Sequence, residues 1–168
     1  SHVAFYFPGS TIGNFTPPQA GKLLQQMASM LGQQGGLLIG IDLQKDTDVL
    51  HAAYDDREGV TAAFSLNLLT RINRELGGDF DCSRFKHQAI YNSRYHRIEI
   101  SIVSLEDQVV SIGDHAVEFA AGEAILTEYS HKYTVAGFAK FARQYGFQLH
   151  KSWTDPKNYF AVLHLVIE

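Results

Sequence analysis

The sequence has little cysteine, no long apolar run and no surplus of positive charge. Cys82 is the single cysteine among 168 residues, so no internal disulfide can form, and we expect a cytoplasmic protein in a reducing compartment. No apolar run approaches the ~20 residues of a membrane-spanning helix, which argues against a membrane partner. Lysine and arginine number 14 against 18 acidic residues, giving a net charge of −4. This balance argues against a nucleic-acid partner.

Motifs of several enzyme classes are also absent. The chain contains no G-x-G-x-x-G, the fingerprint of dinucleotide-binding turns. It contains no G-x-S-x-G, the nucleophile turn of α/β-hydrolases. Its 8 histidines include no pair spaced four residues apart and no H-E-x-x-H, so we expect no metal site.

The beginning of the chain has the pattern of a parallel βαβ unit. Continuously apolar runs at residues 3–7 and 37–41 predict two buried strands. Between them, Thr16 followed by two prolines predicts the start of a helix, whose apolar residues recur at helical spacing until Gly32. Strand, helix and strand in this order are typical of the parallel sheet of an α/β domain.

The middle of the chain changes from a helical to an alternating pattern. Helical patterns at 46–56 and 64–76 come first, and the second one contains Phe64 and Leu68 in its apolar stripe. Four short alternating runs then predict strands, at 87–92, 97–104, 108–112 and 116–119. We predict that these strands form one antiparallel sheet, as in an α+β domain.

The end of the chain returns to the α/β pattern. Thr134 is expected to cap a helix, and two closing strands are predicted at 147–153 and 159–166. We therefore predict a discontinuous α/β domain formed by residues 1–45 and 133–168. Residues 46–132 form an α+β insert between the two parts.

The predicted α/β domain is small, and its sheet would have unpaired strand edges. The sequence also opens at Ser1 on a strand-like run without a methionine. We therefore expect a piece of a longer protein, with further strands upstream. Bare edges of a truncated sheet favour self-association of the piece.

A glycine-rich loop at residues 9–14 follows the first predicted strand. Ligands bind open α/β sheets where such strands end, so this loop is a candidate site. A tight turn that needs glycine for its geometry is an alternative explanation. The side chain of Asn14 favours the binding interpretation, because its amide can both donate to and accept from a ligand.

Two further polar clusters lie in the predicted insert. The phenol of Tyr54 is a candidate ligand contact, and the adjacent Asp55 and Asp56 could bind a cation or, more simply, cap the next helix. In the run 127–132, strand alternation places Glu128 and Ser130 on one face. A carboxylate beside a hydroxyl can recognise a ring that carries an N–H, and a solvent-facing polar strand is the alternative.

These clusters resemble a known family. Residues 7–15 (FPGSTIGNF), 38–42 (LIGID), 52–56 (AAYDD) and 127–133 (TEYSHKY) are similar, in this order, to the histidine-specific S-adenosylmethionine-dependent methyltransferases. The likeness covers nearly the whole chain. It implies the C-terminal part of a Rossmann-like methyltransferase domain, with the insert as its substrate-binding domain.

The resemblance also implies a reaction and residue roles. The full-length enzyme would methylate the α-amino group of L-histidine to hercynine, on the route to ergothioneine. Asn14 and Tyr54 fall on the positions that contact the carboxylate of the amino acid, and Asn14 also on the contact to its amine. Glu128 and Ser130 fall on the pair that recognises the imidazole. Ile100 occupies a pocket position where the family usually has methionine.

The family's main motif for S-adenosylmethionine is absent from this sequence. Its glycine-rich turn and its ribose-binding acid belong to the N-terminal half of family members, and Gly9 is the only cofactor-binding candidate here. We therefore expect the fragment alone to be inactive. The alternatives are a non-catalytic amino-acid-binding module, a structural domain with a vestigial pocket, and an N-methyltransferase for another aromatic amino acid such as a tryptophan derivative.

Overall fold

The computed structural model describes residues 3–33 and 35–167. Its strands are β1 (Ala4–Phe7), β2 (Gly36–Asp42), β3 (Phe85–Asn92), β4 (Arg97–Ser104), β5 (Gln108–Ile112), β6 (His115–Phe119), β7 (Ala124–His131), β8 (Phe147–Thr154) and β9 (Phe160–Ile167). Its α-helices are α1 (Pro17–Leu31), α2 (Thr47–Tyr54), α3 (Val60–Leu76) and α4 (Val135–Arg143), with short 3-10 turns at Thr11–Asn14 and Cys82–Arg84. Within the two described ranges, no helix is both long and apolar enough to cross a membrane.

The described residues form two compact units. The first contains those of Ser1–Asp46, Asn92–Arg97 and Tyr129–Glu168, and the second contains Thr47–Tyr91 and Ile98–Glu128. The domain limits expected from the sequence, at 45/46 and 132/133, stay a prediction.

The first unit is built on a four-stranded sheet with the order β1-β2-β9-β8. β1 pairs with β2 in parallel, with Ala4 opposite Gly36, and α1 connects the two strands. The predicted parallel βαβ unit is therefore confirmed. β9 runs antiparallel to both β2 and β8. β1 forms one edge of this sheet.

One face of this sheet carries the core of the first unit. Alternate residues of β2, such as Leu37 and Ile39, are fully buried together with Leu163 of β9. They pack with Leu24 of α1 and Phe138 of α4 in a single apolar cluster. Thr16 begins α1 in a capping box with Gln19, and prolines occupy the first turn, as the sequence predicted.

The second unit contains two sheets where the sequence predicted one. β3, β4 and β7 form a three-stranded sheet in the order β3-β4-β7, whereas β5 and β6 form a separate antiparallel hairpin. Gly113, with φ of 55°, lies in the tight turn that connects β5 to β6. Val110 and Phe119 of the hairpin instead pack with Leu69 of α3 and with Phe85. Side-chain packing and a short antiparallel bridge between Ile112 and Gly78 therefore join the hairpin to the rest of the unit.

Asp56 caps the beginning of α3. Its carboxylate accepts hydrogen bonds from the backbone N–H groups of Val60 at 2.9 Å and of Thr61 at 2.8 Å. The capping interpretation of the aspartate pair is therefore confirmed for Asp56. Hydrogen bonds from the side chain and then the backbone of Thr61, followed by that from Val60, lower the pKa of Asp56 to about 2.

The cap predicts a pH-dependent loss of stability in the variant Asp56→Ala. Two N–H groups at the start of α3 would lose their acceptor, so we expect a lower melting temperature at neutral pH. Because the folded-state pKa lies below the ordinary value of 3.8, this contribution is present above 3.8 and is lost as the pH falls toward about 2. Thermal unfolding followed by circular dichroism should therefore show the difference from the wild type narrowing in that window.

Asp55→Ala is the matched control for this experiment. It removes the neighbouring exposed carboxylate, which is not an acceptor for the α3 backbone. An equal fall in melting temperature for both variants would assign the effect to net charge and would contradict the cap.

Candidate functional site

A cavity of about 400 Å³ lies in the second unit. Its walls come from α2, α3, β4 and β7, and its lining residues are Ala53, Tyr54, Thr61, Phe64, Ser65, Asn67, Leu68, Arg71, Ile100, Thr127 and Glu128. Three residues that the sequence proposed for substrate binding, Tyr54, Ile100 and Glu128, are thus brought to one cavity. Its volume lies within the ~300–1,000 Å³ range of small-molecule sites.

The α3 wall of the cavity corrects the predicted apolar stripe of that helix. Leu69 is buried as expected, but Phe64 is 77% exposed and Leu68 39% exposed. The reason is that α3 has apolar residues on two sides. Leu69 packs into the core, whereas Phe64 and Leu68, one helical turn apart, line the cavity. The sequence signal for this was an apolar arc too wide for a single buried face.

Local contacts fix the other walls of the cavity. Tyr54 ends α2, and its carbonyl oxygen accepts a hydrogen bond from Nε2 of His87 at 2.8 Å. Ile100 is only 6% exposed and packs with Leu50 in a small apolar cluster that Tyr54 flanks. The hydroxyl of Thr127 donates to the carbonyl of Ile100 at 3.0 Å. Glu128, the residue after Thr127, is half-buried.

In the first unit, the loop that carries Asn14 is held from two sides. The hydroxyl oxygen of Ser10 accepts a hydrogen bond from the backbone N–H of Asp42 at 2.7 Å. The ring of His131 donates from Nδ1 to the carbonyl of Gly13 at 2.8 Å, since a carbonyl oxygen can only accept. Asn14 itself follows Gly13 directly and has an exposed side chain. The loop therefore has a defined conformation, and the amide side chain of Asn14 is exposed to solvent.

The same loop lies very close to the backbone of β7. A Cβ added at Gly13 would lie 2.9 Å from the carbonyl oxygen of His131 and 3.3 Å from its backbone nitrogen.

Burial raises the pKa of Tyr133 to about 12, so its phenol stays protonated at neutral pH. Its hydroxyl lies 3.5 Å from the carbonyl oxygen of Ile12, on the same loop.

Ser130 belongs to a buried polar segment at the end of β7. Ser130, His131 and Lys132 are 8%, 6% and 2% exposed, so the alternative of a solvent-facing strand is wrong for these residues. The ammonium of Lys132 donates to Asp42 Oδ2 at 2.6 Å and to Ser130 Oγ at 2.7 Å. Lys45 pairs with the other carboxylate oxygen of Asp42. The sequence assigned no role to Lys132, because a lysine in a polar run is ordinarily expected to face solvent.

Gly9, the cofactor candidate, follows β1 in a left-handed conformation with φ of 73°. This backbone conformation by itself accounts for glycine at this position. No atom of the described residues lies within 4 Å of a Cβ added there. Among the described residues, the side of Gly9 on which a Cβ would lie is therefore open.

The fold is that of Rossmann-like methyltransferases that use S-adenosylmethionine. The CcbJ methyltransferase of Streptomyces caelestis matches it with a TM-score of 0.51, over 98% of this chain and 60% of that one. The sequences are only 9% identical, so this likeness shows the fold alone. The α/β fold class predicted from the sequence is confirmed.

The sequence itself places the chain in a particular family. The model of a family described as histidine-specific methyltransferase, SAM-dependent, matches residues 1–167, and the chain belongs to this family. The resemblance found by sequence analysis is thus confirmed, and with it S-adenosylmethionine as the cofactor of the family.

Curated relatives agree with this placement. Histidine N-alpha-methyltransferases of Mycolicibacterium smegmatis and Mycobacterium tuberculosis are 43% and 41% identical, over 93% and 94% of this chain. An L-tryptophan methyltransferase, trpM, of Psilocybe serbica is 28% identical over 97% of this chain. The match covers 49%, 50% and 46% of these proteins, so the chain spans about half the length of the curated relatives it matches.

The close approach of the loop to β7 predicts that Gly13→Ala destabilises the first unit. Both groups that the new methyl would meet are backbone atoms, so the loop or the strand has to shift. Overpacking of this kind costs typically ~1–3 kcal/mol, and we expect a fall of this size in the free energy of unfolding in urea. Thr11→Ala, at an exposed position of the same turn, should leave it nearly unchanged. Equal stability of Gly13→Ala and wild type would contradict the close packing.

Proposed function

We propose that the full-length protein containing this chain methylates the α-amino group of L-histidine to hercynine, a step toward ergothioneine. The observation that carries the proposal is the cavity that gathers Tyr54, Ile100 and Glu128 from three separate elements. The relatives named as histidine N-alpha-methyltransferases support the choice of substrate. This chain would supply the substrate-binding domain and the C-terminal part of the Rossmann-like domain.

In this proposal, polar side chains hold both ends of the amino acid. Glu128 accepts a hydrogen bond from an imidazole N–H, and Ser130 contacts the other ring nitrogen. Asn14 and Tyr54 bind the carboxylate, and Asn14 thereby aims the amine. Side chains that hold the carboxylate and the ring suit three successive methylations, because these groups do not change while the amine gains methyl groups.

The chemistry requires positioning more than covalent assistance from the protein. S-adenosylmethionine supplies an electrophilic methyl group on a sulfonium. The chain's own residues then have to hold the amine in line with that methyl group and exclude water. The half-buried Glu128 and the buried Ser130 are suited to such a fixed arrangement.

The cofactor would be held mainly by the part of the protein outside this chain. The open space at Gly9 is compatible with a group that approaches the backbone closely, but no cradle surrounds it among the described residues. We therefore propose that the glycine-rich turn and the ribose-binding acid lie in an N-terminal half. A cytoplasmic location, expected from the single cysteine, belongs to the same proposal.

A second candidate is an N-methyltransferase for another aromatic amino acid. It is favoured by the apolar wall of Phe64, Leu68 and Ile100, which can accommodate a larger ring. The similarity to an L-tryptophan methyltransferase also favours this second candidate. Both rings offer an N–H to Glu128, and only an imidazole also offers an acceptor nitrogen, so the two candidates differ in the contact proposed for Ser130.

The test of the first candidate is Glu128→Ala in the full-length enzyme. A hydrogen bond to a charged group contributes ~1.5–3 kcal/mol. Its loss should raise the KM for histidine by roughly ten- to a hundredfold. Steady-state kinetics with histidine and with tryptophan measure the effect and its specificity.

Glu118→Ala is the matched control, because it removes an exposed carboxylate of the same unit that does not line the cavity. We expect wild-type kinetics for this variant. Unchanged histidine kinetics in Glu128→Ala would refute the proposed role, and a preference for tryptophan in the wild type would favour the second candidate.

The chain alone should neither bind S-adenosylmethionine tightly nor methylate histidine. It retains Asn14, Tyr54, Glu128 and Ser130, but a site open to water screens each of their contacts. Titration calorimetry with the cofactor and an activity assay of the isolated chain provide the measurement. Micromolar cofactor binding by the chain would contradict our assignment of the binding motif to the other half.

The isolated chain should also self-associate through the edge strand β1. Tyr6 of this strand is 72% exposed, and an edge strand is a template for pairing with another chain. Sedimentation velocity at several concentrations should show a mass that rises with concentration, and Tyr6→Lys should reduce it. Met30→Lys changes an equally exposed residue of α1, also 72% exposed, and serves as control. A strictly monomeric wild-type chain would exclude the edge pairing.

A further inference from the structure

His131 is a buried histidine without a role in the proposed function. It is the last residue of β7 and is 6% exposed. Its ring packs against those of Tyr129 and Tyr133, two positions before and after it, with ring centroids 5.9 Å and 6.5 Å apart. Packing against two aromatic neighbours restricts the orientations that the imidazole can adopt. The direction of its N–H groups is therefore well defined.

The imidazole holds one particular atom of the loop at residues 9–14. Nδ1 of His131 donates to the carbonyl oxygen of Gly13 at 2.8 Å. The loop comes close enough for this bond because Gly13 has no side chain, since an added Cβ would lie 2.9 Å from the carbonyl oxygen of His131. The N–H of Gly13 donates to the carbonyl of Ser10 at 2.8 Å. The peptide groups on both sides of Gly13 are therefore held by hydrogen bonds.

The bond to Gly13 sets the position of Asn14 through the backbone. The carbonyl of Gly13 and the N–H and Cα of Asn14 belong to one planar peptide group. Holding the carbonyl oxygen therefore orients the whole peptide plane and, with it, Cα of Asn14. The side chain of Asn14 is exposed, so the backbone, more than packing, decides which region its amide can reach. The imidazole of His131 thus acts on the direction of Asn14 from one residue away.

We propose that His131 is a positioning residue that aims Asn14 at the substrate through its hydrogen bond to the Gly13–Asn14 peptide group. The inference rests on the proposed function, in which Asn14 binds the carboxylate of the amino acid and so aims its amine. Methyl transfer is sensitive to such aim, because a misplacement of about 1 Å can cost roughly 100-fold in rate. His131 affects the reaction only through Asn14, and this distinguishes its role from a general contribution to stability.

The test is a double-mutant cycle between His131 and Asn14 in the full-length enzyme. His131→Phe keeps a ring against Tyr129 and Tyr133 but removes the donor to Gly13. We expect it to lower kcat/KM for histidine by ~10-fold, the loss of about one hydrogen bond, with part of the fall in kcat. In the Asn14→Ala background the same change should lower kcat/KM by less than about twofold, because the residue through which His131 acts is gone.

Two amide variants separate the hydrogen bond from the ring. An asparagine side chain places its N–H groups about where Nδ1 of a histidine lies, whereas a glutamine side chain reaches one bond further. His131→Asn should therefore recover most of the kcat/KM that His131→Phe loses, and His131→Gln should not. Tyr133→Phe is the matched control, because it removes a hydroxyl 3.5 Å from the carbonyl oxygen of Ile12, on the same loop but outside the Gly13–Asn14 peptide group. We expect wild-type kinetics for this control.

The outcomes separate the inference from the function on which it rests. A wild-type enzyme that does not methylate histidine contradicts the proposed function. Wild-type kinetics in Asn14→Ala contradict the substrate contact of Asn14, and the inference falls with it. If Asn14→Ala lowers kcat/KM but His131→Phe does not, or if His131→Phe has the same effect in both backgrounds, only the role of His131 is wrong. Equal kinetics of His131→Asn and His131→Gln would also overturn that role.

Thermal unfolding followed by circular dichroism establishes that each variant is folded before its kinetics are compared. If His131→Phe does not fold, the cycle with Asn14→Ala is carried out with His131→Gln, which also withdraws the donor from Gly13 but keeps a polar side chain. The same expectations then apply to that variant. If neither variant folds, the hydrogen bond to Gly13 has a structural role and the inference is overturned.

Discussion

The ion pair between Asp42 and Lys132 joins two points of the chain that are 90 residues apart. Asp42 ends β2, shortly before the chain leaves the first unit, and Lys132 lies where the chain has returned to it. A short parallel bridge between Leu43 and Tyr133 continues the same connection in the backbone. The ion pair and this bridge therefore connect two segments of the first unit that are far apart in the sequence. The loop of Asn14 and the hydroxyl of Ser130 depend on the same connection, through Ser10 and Lys132.

Such a pair contributes more to geometry than to net stability. The desolvation of a buried ammonium and a half-buried carboxylate offsets most of their attraction, so apolar residues of the same volume would stabilise the unit about equally well. Apolar residues would not orient Ser10, whose hydroxyl accepts from the backbone of Asp42, nor Ser130, whose hydroxyl accepts from Lys132. Removing a single partner from a buried pair typically costs ~3–5 kcal/mol. The ion pair therefore couples the folding of the first unit to the arrangement of the side chains of Ser10 and Ser130.

The local elements could be predicted from the sequence because their signals are local. The apolar runs of β1 and β2, the Thr16 cap and the Asp56 cap each depend on residues within a few positions. The separation of β5 and β6 from the other strands could not be predicted, because alternation fixes a strand but not its partner.

The burial of polar residues could not be predicted either, because it also depends on contacts between residues that are distant in sequence. The run from Ser130 to Lys132 is polar, and polar strand residues are expected to face solvent. Its burial depends on Asp42 and on the loop at Gly13, both distant in sequence. The family resemblance nevertheless proposed Tyr54, Ile100 and Glu128, which the structure brings to one cavity, because such a resemblance contains long-range information that periodicity lacks. Their roles in substrate binding stay a prediction.

In the proposed function, the choice of substrate depends mainly on the few polar groups of the cavity. Phe64, Leu68 and Ile100 form an apolar wall, and an apolar wall distinguishes rings of different size by only ~1–3 kcal/mol. A site built to form hydrogen bonds rejects a ring that lacks the matching group far more strongly, because its own polar atoms are then left unpaired. The half-buried carboxylate of Glu128 is a group of this kind. Under the proposed function, residues of the apolar wall such as Ile100 could therefore vary without loss of selectivity for an imidazole, as long as Glu128 keeps its orientation.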